Sequence, residues 1–314
     1  MARGKKNWKP KDHYAEITNA IIASLEEGVA PWTCPWDRTL GLSRNGANGH
    51  VYNGINTWLT FAAAWAAGYQ DPRWYTFNQA KALGGNLRGQ HGIKIVHWRF
   101  VVPKQRKDET DEDFEARKHR KVPRLSVWTV FNHEQVKWED ADKEPKLTDA
   151  EPVDLEALHA EAVEFLATCG ADIKHGGAKA FYDPKRDRIG LPPVEAFKTP
   201  EDYLATAFHE VIHWTGAEGR CDRDLKGRFG DASYAAEELV AELGAAFLCA
   251  DYAIEGKLQH EEYIGHWLKI LKGDKYAVFT AARLARDAAN FTKVKVVPDA
   301  EVETEVDPAE HDAA

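Results

Sequence analysis

The sequence predicts an α+β protein of two domains. The front domain, residues 1–145, mixes helix and sheet; the rear domain, residues 151–297, is mainly helical. Three observations carry this. Runs rich in β-branched and aromatic residues, "GIKIVHWRFVVP" and "RLSVWTVFNHEQV", read as strands in the first half, whereas helical periodicities dominate the second. Charge reverses along the chain: residues 1–107 hold 15 Lys and Arg against 6 Asp and Glu, the remainder 26 against 44, so the net −9 hides a basic unit joined to an acidic one. The stretch between them, "EDADKEPKLTDAEPVD", is acidic and carries two prolines, as a linker does.

The elements follow in order. Tyr14, Ile17, Ile21 and Leu25 recur at helical spacing over Asp12–Glu27, and Gly28 stops that helix. "VAPWTCPWDR" is a loop broken by proline. "HVYNGINTWLTFAAAWAAGY" is a turn feeding a helix, with Asn53 or Asn56 as cap. Thr76 and Gln79 have capping-box spacing, and Gly84–Gly85 ends the short helix they open. Residues 104–124, between the two strands, are almost all charge and read as a flexible excursion. In the rear, "LEALHAEAVEFLATCG" is a helix, "ADIKHG" a strand and "AFYDPKRDRIGLP" a hairpin turning at Asp183–Pro184. Thr199 caps a helix with Pro200 in its first position, ending near Gly216. A second helix spans Ser233–Ala250 and two more follow. Residues 298–314 form an acidic tail expected to be disordered.

A hydrophobic content of 44% with 29% charge fits a soluble globular chain. No apolar run reaches the roughly 20 residues of a membrane span, so no membrane partner is expected. The basic start lacks the apolar stretch of a secretory signal, and Cys34, Cys169, Cys221 and Cys249 form no C-x-x-C pair; both point to a cytoplasmic location.

"FHEVIHWTG" places His209 and His213 four apart on a predicted helix, hence on one face, where both imidazoles can reach one ion. Glu210 points aside, placed to act as general base. A third ligand is expected downstream, and "YAAEELVAELGAAFL" offers Glu237, Glu238 and Glu242. Glu238 is assigned as ligand and Glu242, one turn on, as acceptor of a hydrogen bond from a ligand histidine. Glu237 is expected in solvent. Zn2+ is the expected ion, with another divalent metal such as Mn2+ also suited. Tyr182, Tyr234 and Tyr263 are alternative donors to a developing oxyanion, and "AKAFYDP" or "RIGLP" could offer a strand edge to an extended peptide.

Nine of the eleven tryptophans precede residue 139, interleaved with cations. Aromatic faces stack on unpaired bases while cations follow the backbone, a combination suited to single-stranded nucleic acid. Trp58 and Trp65 read as core of their helix. Trp32 and Trp36, in a loop beside Arg38, are better contacts; Arg44, Tyr52, Asn53, Asn56, Trp74, Lys81, Arg88 and Lys94 complete the candidate set.

Over nearly its whole length the chain resembles the plasmid- and phage-borne antirestriction proteins of the ArdC family. "PWTCPW", "YNGIN", "WYTFNQAKALGGNLRGQHG", "AFYDPKRDRIGLP", "HEVIHWTG" and "YAAEELVAELGAAFL" occur as landmarks in the family's order. The resemblance implies a front domain that binds single-stranded DNA and a zincin-like, gluzincin-type metallopeptidase domain behind it. It implies protection of incoming mobile DNA from host restriction, with a restriction-system protein as substrate or target. It maps the metal site onto His209, His213 and Glu238, with Glu210 as base. The rival expectation is a DNA-shielding protein whose metal site is structural or vestigial.

Overall fold

The computed structural model describes residues 12–28, 34–37, 40–140, 142–147, 154–225, 232–254 and 263–296. Trp32, Arg38, much of the linker and the acidic tail lie outside the described residues.

The front half contains α1 (His13–Glu26), β1 (Arg44–Asn45), α2 (Ile55–Ala67), β2 (Arg73–Thr76), α3 (Phe77–Ala82), β3 (Gly85–Asn86), β4 (Ile93–Val101), α4 (Asp111–Arg117), β5 (Val122–Asn132) and β6 (Lys137–Trp138). Four strands form one sheet in the order β1-β2-β5-β4, with β1 parallel to β2 and the other pairs antiparallel. The Asn56 side chain fastens α2 to this sheet: its amide donates to the Val96 carbonyl and its oxygen accepts the Val96 N–H, each at 2.8 Å. The cap of α2 is therefore neither Asn53 nor Asn56 but Gly54, at φ +56°, a left-handed turn that glycine makes without steric cost. Thr76 and Gln79 do form the capping box that opens α3.

The charged excursion is more ordered than its composition predicts. β4 and β5 stay paired out to Val101 and Val122, and α4 closes the tip. Thr110 caps α4, Asp111, Glu112 and Asp113 occupy its first turn, and Arg117 lies in its last, an arrangement that opposes the helix dipole at both ends. Arg117 also pairs with Glu109 and holds that carboxyl down at about 2. Local ion pairs and capping organise a segment with no apolar face to bury.

The rear half contains α5 (Leu155–Thr168), β7 (Asp172–His175), β8 (Phe181–Asp183), β9 (Arg188–Leu191), α6 (Pro200–Thr215), α7 (Ala232–Asp251), α8 (Ile264–Gly273) and α9 (Ala277–Val296). β9 is the middle strand, parallel to β7 and antiparallel to β8, so β8 is an edge. Thr199 caps α6 through the Asp202 N–H at 3.1 Å, with Pro200 in the first turn. Phe208, Val211 and Ile212 of α6 pack with Leu239, Val240 and Leu243 of α7. Gly244 lets these helices come close: a Cβ there would meet the Ile212 side chain at 2.8 Å.

Sequence position groups α1 with the front half, yet its apolar face reaches the rear. Ile17, Ile21 and Leu25 share one buried cluster with Trp58 of α2 and with Trp267 and Leu271 of α8. Thr18 donates to the Lys275 carbonyl at 2.7 Å, Lys275 pairs with Asp12 at 2.6 Å and Lys272 with Glu26 at 2.6 Å.

Candidate metal centre

α6 and α7 cross with their polar faces turned to one cleft. Capping by Thr199 fixes the start of α6, and its apolar face fixes its rotation, so His209 and His213 both look out between the helices. His209 Nε2 and His213 Nε2 lie 3.1 Å apart; Glu238 places Oε2 at 3.5 Å from the first and Oε1 at 3.5 Å from the second. A tetrahedral ion with bonds of 2.0–2.1 Å requires ligand–ligand edges of about 3.3–3.4 Å. Taking one atom from each residue, the three donors lie within 4.8 Å of one another, so a small closing movement of the Glu238 carboxylate would bring them to that triangle. Two imidazoles and a carboxylate suit zinc and other divalent transition metals. Glu210 lines the same cleft without being one of the three. The lining also includes Phe181 and Tyr182 of the β8 edge, Ala180 just before it, and Leu225, Tyr234 and Tyr263, around a volume of roughly 250 Å³. The strand edge beside the histidines is thus in "AKAFYDP"; "RIGLP" is paired on both sides.

Electrostatics favour a cation at the convergence point. Burial opposes charge on Glu238, but hydrogen bonds to His209 and His213 outweigh it and hold the carboxyl below the ordinary range. Burial likewise opposes charge on His213, which Glu237 and Glu238 nonetheless raise to about 10. Glu242 is pushed up to about 7 by burial.

Two expectations change here. Glu237 is not in solvent: it is buried, accepts from His213 Nδ1 at 3.2 Å and pairs with Arg223 at 2.9 Å. Glu242 approaches His209 Nδ1 only to 3.9 Å, too far for a hydrogen bond. The helices run antiparallel past the site, so His213, four residues beyond His209, meets Glu237, five residues before Glu242. Nothing in the sequence pointed to the contacts of Glu237 with His213 and Arg223, which join separate segments. Of the three tyrosines, Tyr182 is engaged by Asp187 at 2.8 Å and Arg220 at 3.1 Å. Tyr234 stands beside Glu238; burial, then Tyr263 and Glu238, raise its pKa, keeping the hydroxyl a donor.

Comparison with known proteins agrees with both halves. Residues 11–131 match the N-terminal domain of anti-restriction factor ArdC, and residues 160–284 match a zincin-like metallopeptidase domain. The metal-free crystal structure of the antirestriction protein ArdC from plasmid R388 superposes with a TM-score of 0.73 at 33% identity, covering 93% of this chain and all of that one. Its Mn(II)-bound form gives 0.71 at 33% identity, covering 91% and 99%. The chain belongs to the ArdC family. An uncharacterized protein of Sinorhizobium fredii, y4eC, is 36% identical over 90% of this chain and 92% of its own length. A DNA primase TraC of Escherichia coli is 33% identical over 96% of this chain, which spans only 29% of that protein.

The ArdC-type front domain distributes its aromatic residues differently from the sequence expectation. Trp36, Tyr52 and Trp74 are buried in one cluster; Trp36 donates to the Gly41 carbonyl at 3.0 Å and meets Phe61 edge-to-face at 5.1 Å. They offer no open ring face to a base, because a packed core claims large aromatic area first. Asn56 is occupied by Val96, as described above. Arg44, partly buried, donates to the Leu40 carbonyl at 2.8 Å, and Lys94 is partnered by Thr129. Asn53, Lys81 and Arg88 are exposed. Trp65, expected in the core with Trp58, is instead 51% exposed, and Phe77 is 54% exposed. Among the described residues no helix is long and apolar enough to cross a membrane.

Proposed function

We propose that this protein is a cytoplasmic antirestriction factor that binds single-stranded DNA through its front half and hydrolyses a peptide bond at the α6–α7 cleft. The observation that supports the peptidase reading is the triangle of His209, His213 and Glu238 opening into a cleft that Glu210 also lines. Three protein donors with room beside them are what a catalytic ion needs, whereas a structural site is closed by a fourth. Zn2+ is the expected ion, and the Mn(II) bound by the plasmid R388 relative makes Mn2+ the first alternative. A divalent ion there supplies Lewis acidity, lowering the pKa of water to about 7.

The chain's own residues do the rest. The β8 edge holds an extended segment by strand addition, placing its carbonyl over the two histidines. Glu210 takes a proton from the attacking water and delivers it to the departing amine. Tyr234 donates to the developing oxyanion. In the front half, Trp65 and Phe77 offer stacking faces and Lys81 and Arg88 attract the phosphate backbone. Incoming DNA is thereby covered while a protein of the host restriction system is cleaved.

The deciding experiment compares protection from restriction by the unaltered protein and by Glu210→Ala, with metal content measured for both. Full metal with lost protection is the expected result. Full metal with full protection would leave a DNA-shielding protein whose ion is structural.

A further inference from the structure

We propose that Arg223 is a positioning residue for the metal centre, acting through Glu237 to hold His213 with Nε2 turned toward the ion. The inference rests on the metal reading of His209, His213 and Glu238 given above.

His213 can offer a lone pair at Nε2 only if its proton sits on Nδ1, and that proton needs an acceptor. Glu237 Oε1 is the acceptor, 3.2 Å away. A glutamate on its own has free torsions and would hold the ring loosely. Arg223 removes that freedom: its Nε donates to Glu237 Oε2 and its Nη2 to Oε1, each at 2.9 Å, a planar fork on both oxygens.

The fork is itself tied to the helix that carries the histidine. Arg223 Nη2 donates to the Ile212 carbonyl at 2.6 Å and Nη1 to Thr215 Oγ1 at 2.9 Å. Ile212 is in the last turn of α6, where carbonyls run out of helical N–H partners; the Gly216 N–H goes to the His213 carbonyl at 2.9 Å instead. A closed circuit results: the end of α6 holds Arg223, Arg223 holds Glu237 on α7, and Glu237 holds His213 back on α6. His213 is thus oriented relative to its own helix and to the helix bearing Glu238. The Arg223 side chain is only 3% exposed and its partner 9%. Lysine has neither the fork nor enough donors in one plane to replace it.

The same loop supplies an internal control. Arg220 donates to the Trp214 carbonyl at 2.7 Å, to Asp187 at 2.9 Å and to Tyr182 at 3.1 Å, fastening the β8–β9 hairpin to α6. Both arginines anchor the loop, but only Arg223 reaches Glu237.

The test uses full-length, metal-stripped protein, with Zn2+ affinity measured against a chromophoric chelator and Co2+ bound as a spectroscopic probe. Glu237→Gln and Arg223→Lys are each expected to weaken Zn2+ binding by about 10–100-fold and to alter the Co2+ visible band. The double variant is expected within about 2-fold of the weaker single, since both changes break one circuit. Arg220→Lys is expected to keep Zn2+ affinity within about 2-fold of the unaltered protein. Wild-type affinity in Glu237→Gln overturns the inference, and so does equal weakening by Arg220→Lys, which would assign the effect to the loop as a whole. Should Arg223→Lys fail to fold, Arg223→Gln takes its place beside the nearly isosteric Glu237→Gln, and wild-type affinity in either overturns the inference. If the unaltered protein binds no divalent ion, the metal reading falls and takes this inference with it.

Discussion

In the rear half, side chains from two helices 25 or more residues apart in sequence meet at ligand distance: His209 and His213 with Glu238. In the front half, three aromatic residues singled out by chemical type, with no spacing rule behind them, are folded inward: Trp36, Tyr52 and Trp74. The difference lies in what each kind of site requires. A metal centre needs fixed separations, and a helix converts sequence spacing into separation in space. A stacking surface needs exposure, and exposure depends on which neighbours the fold brings alongside. Trp58 and Trp65 sit on one helix seven residues apart, yet one is 1% and the other 51% exposed.

The largest expected effect tests the rear half. Glu238→Ala or His209→Ala should leave less than roughly a tenth of an equivalent of zinc after dialysis, measured by elemental analysis, because two remaining donors cannot retain the ion. Retention near one equivalent would break the comparison on the side where it is strongest. Next, Glu210→Gln should lower hydrolysis of a cleaved protein or peptide by about 10²–10⁴-fold at unchanged metal content. Undiminished turnover would move the base elsewhere.

The front half is tested by a pair. Trp74→Ala should cost about 3–5 kcal/mol in urea unfolding, as a fully buried ring does. Trp65→Ala should cost less than about 0.5 kcal/mol of stability, yet weaken single-stranded DNA binding by about 1–3 kcal/mol if it stacks on a base. Equal DNA affinity for Trp65→Ala and the unaltered protein would remove Trp65 from the interface. The smallest effect is electrostatic: Lys81→Ala and Arg88→Ala should each reduce the slope of log affinity against log salt by up to about 1. An unchanged slope would place the phosphate path on another face.

Much of the fold was legible because its signals are local. Thr199–Pro200 opened α6, Thr76 and Gln79 boxed α3, and β-branched runs marked β4 and β5. The helix at the tip of the charged excursion was hidden because composition alone ignores Thr110 as a cap and the Glu109–Arg117 pair. Glu237 was misread for a related reason. Helical faces were judged on α7 alone, whereas its burial comes from Arg223 and His213 on other segments. The placing of His209 and His213 on one face follows from one helix repeat; their meeting with Glu238, Glu237 and Arg223 follows from tertiary contacts that no single stretch contains.

The first helix has a bearing on how this molecule can be dissected. Since α1 wedges its isoleucines between α2 and α8, a cut at the acidic linker would strip one fragment of a wall and leave the other with a sticky, unpaired rod. Loss of any property in a half-protein would then report faulty folding as readily as missing chemistry. Point substitutions in the intact chain, rather than truncations, are the instrument its architecture permits.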